Sequence, residues 1–78
     1  MQQVITPGPA AVRRAARSRL NLGGYIIYIG QYQGQEVYTC KFDEEVTIGP
    51  PEVYLWDGHK VTTITGENAL ELLNPYNL

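Results

Sequence analysis

Four of the chain's six basic residues fall within seven positions: Arg13, Arg14, Arg17 and Arg19. Guanidinium groups at this density suit anion recognition, because each presents a rigid fork of N–H donors to phosphate or carboxylate oxygens. A nucleic-acid backbone is one such anion and an acidic protein surface is another. From Leu20 onward the only bases are Lys41 and Lys60, against Glu36, Asp43, Glu44, Glu45, Glu52, Asp57, Glu67 and Glu71. The net charge of −2 therefore divides into a short basic arm of +4 and an acidic remainder of −6. Four charges give modest affinity for a polyanion, and the acidic remainder repels it. A solvated arginine face, or one paired with the acidic part of this chain or a neighbouring one, is the favoured reading over a nucleic-acid arm.

The other reactive side chains point away from catalysis. Cys40 and His59 are the only thiol and the only imidazole. One cysteine makes no intramolecular disulfide, and the two residues together do not complete a tetrahedral zinc site. Cys40 falls on a predicted core face, where thiols are structural and inert. His59 sits beside Asp57 at a predicted hairpin tip, in water. Asp43, Glu44 and Glu45 are adjacent in a turn, without the burial that raises a catalytic carboxyl's pKa or the spacing of a calcium loop. Gly30 to Gly34 lies within a hairpin and lacks the Gly-Lys-Ser/Thr of a phosphate-binding loop. No catalytic residue, metal site or cofactor is expected. Tyr28, Tyr32 and Lys41 are predicted to share the outer face of the first hairpin, as a candidate stacking platform for bases. No RNP-like spacing accompanies them. Such tyrosines more often cover a sheet beneath an arm or a partner.

The elements that position these residues follow from periodicity and turn chemistry. Residues 1–9, broken by Pro7, Gly8 and Pro9, read as irregular, with Pro9 suited to a helix's first turn. Ala10 to Leu20 reads as a helix with Val12, Ala16 and Leu20 on one face and Arg13, Arg14 and Arg17 beside it. Gly23-Gly24 stops it. Tyr25 to Tyr32 and Glu36 to Phe42 read as a hairpin, with its turn at Gln33-Gly34 or Gly34-Gln35. In either register Tyr25, Ile27 and Ile29 are predicted to share the core face with Tyr38, Cys40 and Phe42. Ile26, Tyr28, Tyr32, Val37, Thr39 and Lys41 then lie outside. Val46 to Ile48 is a short strand candidate before Gly49-Pro50-Pro51. Glu52 to Trp56 and His59 to Ile64 flank Asp57-Gly58; a two-residue turn there sets Trp56 against His59 and Tyr54 against Val61. Thr65 is a candidate N-cap for a helix with Ala69, Leu70, Leu72 and Leu73 in one stripe, ended by Asn74-Pro75.

The expected fold is α+β: a small antiparallel sheet of two β-hairpins, four to five strands, with a C-terminal helix packed on one face. Residues 1–20 form the basic arm or short helix, covering the other face or a second copy, and residues 21–78 form a single small domain. At 78 residues and 44% apolar content the chain sits near the lower size limit for one core, so its sheet needs a cover. A non-enzymatic interaction or regulatory module follows, acting on a protein partner or on itself as a homodimer. A weak nucleic-acid binder using Arg13–Arg19 is the alternative, and a non-catalytic subunit or substrate-binding domain of a larger assembly the second. The N-terminus lacks the n- and h-regions of a secretory signal. Its first 35 residues, with four arginines and no acid, share the composition of a transit peptide. No stretch approaches the roughly 20 apolar residues of a membrane span. A cytoplasmic, membrane-free protein is the default expectation.

Overall fold

The computed structural model describes residues 4–6, 8–43 and 51–76. A single antiparallel sheet contains β1 (Val4–Ile5), β2 (Tyr25–Tyr32), β3 (Gln35–Lys41), β4 (Glu52–Trp56) and β5 (Val61–Thr65), ordered as in the chain. Two short helices, α1 (Ala10–Ala15) and α2 (Arg17–Asn21), precede β2, and α3 (Gly66–Leu73) follows β5, running into a 3₁₀ turn at Asn74–Tyr76. The α+β architecture is thus as the sequence predicts. The strand candidate Val46–Ile48, and Glu44 and Glu45 of the acidic turn, lie outside the described residues.

Both sheet faces are apolar, and each has its own helical cover. One core contains Ile27, Ile29, Val37, Val53 and Leu55 beneath Ala69 and Leu73 of α3. The other contains Ile26, Tyr38 and Tyr54 beneath Val12 and Ala16. Alternation along β4 separates them: Val53 and Leu55 point to α3, Tyr54 to α1. Helices of five or six residues do not persist alone in water. Val12 and Ala16, both with no exposure, hold these two against the sheet. Burying a side chain such as Val12 contributes about 1.5–3 kcal/mol.

Several expectations are corrected. The N-terminal stretch is not wholly irregular, because Val4 and Ile5 pair with Tyr28 and Ile27. The expected single helix breaks at Ala16 (φ −94°, ψ 9°), which ends α1 and starts α2. The first hairpin does turn at Gln33-Gly34, both with positive φ (52° and 80°), the geometry that matches strand twist. Past Val37, however, a β-bulge shifts the register. Tyr32 faces Gln35 and Gly30 faces Val37, but Tyr28 faces Tyr38 and Tyr25 faces Lys41. Gly30 has φ 138°, a conformation open to glycine, and the extra residue turns every earlier side chain of β2 over relative to β3. Tyr25, Ile27 and Ile29 therefore share a face with Val37, Thr39 and Lys41, while Tyr38 and Cys40 lie on the opposite one with Ile26.

The second hairpin closes on four residues, Asp57 to Lys60, so Trp56 faces Val61 and Tyr54 faces Thr63. The Asp57 carboxylate accepts backbone N–H groups of His59 and Lys60, both at 2.8 Å, which stabilises the longer loop. The shift is two residues, so no face changes. Thr65 does precede α3, without a side-chain capping bond. Leu70 is 52% exposed rather than part of the buried stripe.

Candidate functional site

The two short helices place Arg13, Arg14 and Arg17 on one exposed face, around a depression of about 330 Å³ that also involves Leu20 and Asn21. Arg13 donates a hydrogen bond to the Gly8 carbonyl, which fixes its stem beside the start of α1. Arg13 and Leu20 also border a second depression of about 330 Å³, walled by Ile5, Tyr25 and Ile26. The two recesses are therefore contiguous. Together they form one surface, cationic at one end and apolar at the other, where Ile5 is 72% exposed. The arginine spacing is legible in the sequence. The apolar wall is not, because it depends on β1 lying beside β2; the β-branched run Val4-Ile5-Thr6 is the signal for that strand.

Arg19 does something different. Its guanidinium turns inward and pairs through Nε with Glu52 Oε1 at 3.0 Å, with side-chain exposures of 12% and 24%. The same carboxylate oxygen accepts the Tyr54 hydroxyl at 2.7 Å, and the Glu52 carbonyl accepts the Thr39 hydroxyl at 2.7 Å. Burial and the neighbouring Glu52 carboxylate raise the Tyr54 pKa, so its hydroxyl stays a donor. Arg19 is thus a structural tie between α2 and β4. Beside it Gly24 packs so closely that a Cβ there would lie 2.5 Å from Cys40 Sγ and 2.9 Å from the Arg19 carbonyl oxygen. This joint fixes α2, and hence Arg17 and Leu20, on the sheet.

The structure does not bring Tyr28, Tyr32 and Lys41 together. Tyr28 stacks tilted against Tyr38, ring centroids 5.4 Å apart, on the α1 side. Lys41 pairs with Tyr25 on the α3 side, and Tyr32 borders a groove against α3. The bulge at Gly30 divides the set, so there is no common platform. Cys40 lies half-buried among the α1-side core, and burial pushes its thiol pKa up, with Arg19 opposing and Glu52 adding to the rise. A raised pKa keeps the thiol protonated and slow as a nucleophile. His59 is exposed at the hairpin tip.

On the opposite side of the molecule, α3 presents Glu67, Leu70 and Glu71 on one exposed helix face. The groove at its edge, about 510 Å³, is lined by Tyr32, Leu55, Ile64, Glu71 and Leu72. In the sequence these glutamates stand out only as part of the acidic remainder. Their relation to the groove needs the placement of β2 and β4. Among the described residues no group of three His, Cys, Asp or Glu side chains is arranged to hold a metal ion. Nor, among them, is any helix long and apolar enough to cross a membrane. Compared with protein-family models, curated proteins and solved structures, the chain matches none.

Proposed function

We propose that this chain is a small non-enzymatic interaction module that binds an acidic, partly apolar protein segment. The binding surface is the one formed by Arg13, Arg14 and Arg17 with Leu20, Ile5 and Tyr25. The observation that carries this reading is the contiguity of the cationic and apolar recesses, which share Arg13 and Leu20. A segment with a carboxylate next to an apolar side chain engages both at once. A nucleic-acid strand satisfies only the cationic half, and its length extends the polyanion over the −6 remainder of the chain. The reactive groups fit the same reading: Cys40 is held as a thiol, and the Arg19–Glu52 pair is spent on packing. A single thiol suits a reducing compartment, and the cytoplasm is the proposed location.

The test is fluorescence anisotropy with a labelled peptide alternating Glu and Leu, against a labelled oligonucleotide of equal charge. Exposed ion pairs contribute about 0.2–1 kcal/mol each, so Arg14→Ala/Arg17→Ala is expected to weaken peptide binding by about two- to thirtyfold. Oligonucleotide binding tighter than the peptide at equal salt overturns the reading, as does the absence of peptide binding.

A further inference from the structure

The two helical layers carry opposite charge on opposite sides of the sheet. The α1/α2 layer exposes Arg13, Arg14 and Arg17, and α3 exposes Glu67 and Glu71. At about 10 Å of packing distance per layer the two charged faces stand about 20 Å apart, beyond the screening length of about 8 Å at physiological salt. The molecule measures 31 × 26 × 22 Å, so these faces do not meet within one chain. Each carries the apolar complement of the other. On the first layer Leu22, the residue that follows α2, is 58% exposed, while Leu55, Ile64 and Leu72 line the 510 Å³ groove beside Glu71.

We infer that the acidic, partly apolar segment is the α3 face of a second copy of this chain. The inference rests on the reading above and names its partner. Arg14 and Arg17 of one copy meet Glu67 and Glu71 of the next, and Leu22 at the end of α2 enters the groove under α3. Because the two surfaces differ, the contact is head-to-tail. It does not close on a two-fold axis as a homodimer would, and each copy keeps one surface open for a further copy. Exposed charge pairs are weak individually and screened by salt, so the assembly is concentration-dependent and salt-sensitive.

Sedimentation velocity of the full chain across a concentration series tests this. The weight-average mass is expected to rise past that of a dimer at low salt, and the association to weaken by about tenfold or more in high salt. Arg14→Glu/Arg17→Glu and Glu67→Arg/Glu71→Arg variants, folded by circular dichroism, are each expected to remain monomeric alone. Mixed in equal amounts, they are expected to associate again, because the first retains a native acidic face and the second a native basic one. Monomers at every concentration, a dimer that grows no further, or a mixture that stays monomeric overturns the inference. Anisotropy with the Glu/Leu peptide, run on the same samples, separates the two failures. A monomer that binds the peptide removes self-assembly and leaves the acidic-partner reading standing; a monomer that does not removes both.

Discussion

Gly24→Ala is the sharpest test of how the N-terminal helices are held. The added methyl would lie 2.5 Å from Cys40 Sγ, 2.9 Å from the Arg19 carbonyl oxygen and 2.9 Å from Phe42 Cε2. Optimal carbon contacts lie at about 3.5–4.0 Å, so all three are overlaps. Two of the three neighbours are side chains, but the carbonyl is main chain and already accepts the Gly24 N–H at 3.0 Å. Overpacking of this kind costs about 1–3 kcal/mol. The alanine also stiffens the unfolded chain, which returns about 0.4–1 kcal/mol. A net loss of about 1 kcal/mol lowers Tm by about 4–8 °C in a domain of this size. Urea unfolding followed through Trp56, the single tryptophan, reads the change as a shift in midpoint at constant slope. Combining it with Cys40→Ala removes one overlap and leaves those with the carbonyl and Phe42, so the two substitutions are expected to couple favourably by about 0.5–1 kcal/mol. A Gly24→Ala protein as stable as its parent, or a double mutant whose losses simply add, refutes the close joint between α2 and β3.

Two further outcomes follow from titratable groups. Backbone hydrogen bonds from Lys60 and then His59 hold the Asp57 carboxyl below the ordinary aspartate pKa. A folded-state pKa below the unfolded one stabilises the fold above the unfolded value, and that contribution is lost as pH falls through the folded value. The urea midpoint is therefore expected to decline in acid between about pH 5 and pH 2, with a smaller decline in Asp57→Ala; equal acid slopes in both proteins contradict the hairpin geometry. For Cys40, burial pushes the thiol pKa up, so a disulfide reagent at neutral pH is expected to react far more slowly with the native protein than with the protein in urea. Equal native and denatured rates place the thiol in water and contradict its packing.

Sequence periodicity reaches the elements and stops at register. β2, α3 and a tight turn around Gly34 are legible because β-branched runs, helical apolar spacing and turn-forming glycine act locally. The faces of the first hairpin are not, since one extra residue at Gly30 reverses them, and a glycine in a strand does not announce whether it bulges. The same step misplaces Cys40 relative to Tyr25 and separates Tyr28 from Tyr32. The second hairpin misleads more mildly. Asp-Gly favours a two-residue turn, but the Asp57 carboxylate gains two N–H donors by lengthening the loop, and the resulting shift of two preserves the faces.

The division of the arginines lies between these cases. On the wheel of the single helix that the sequence predicts, at about 100° per residue, Arg13, Arg14 and Arg17 fall within an arc of about 100°, while Arg19 falls about 120° outside it, next to Val12. Val12 is fully buried, so the wheel alone sends Arg19 toward the sheet and leaves the other three facing out. A cation directed inward needs an acceptor there. Glu52, 33 residues away, supplies it, and it does so only because β4 lies against β3 with Glu52 near the end of the ladder, opposite Thr65. Four arginines that look alike in the chain thus serve two purposes. One locks the helix layer to the sheet, and that lock holds the layer on which the other three face outward.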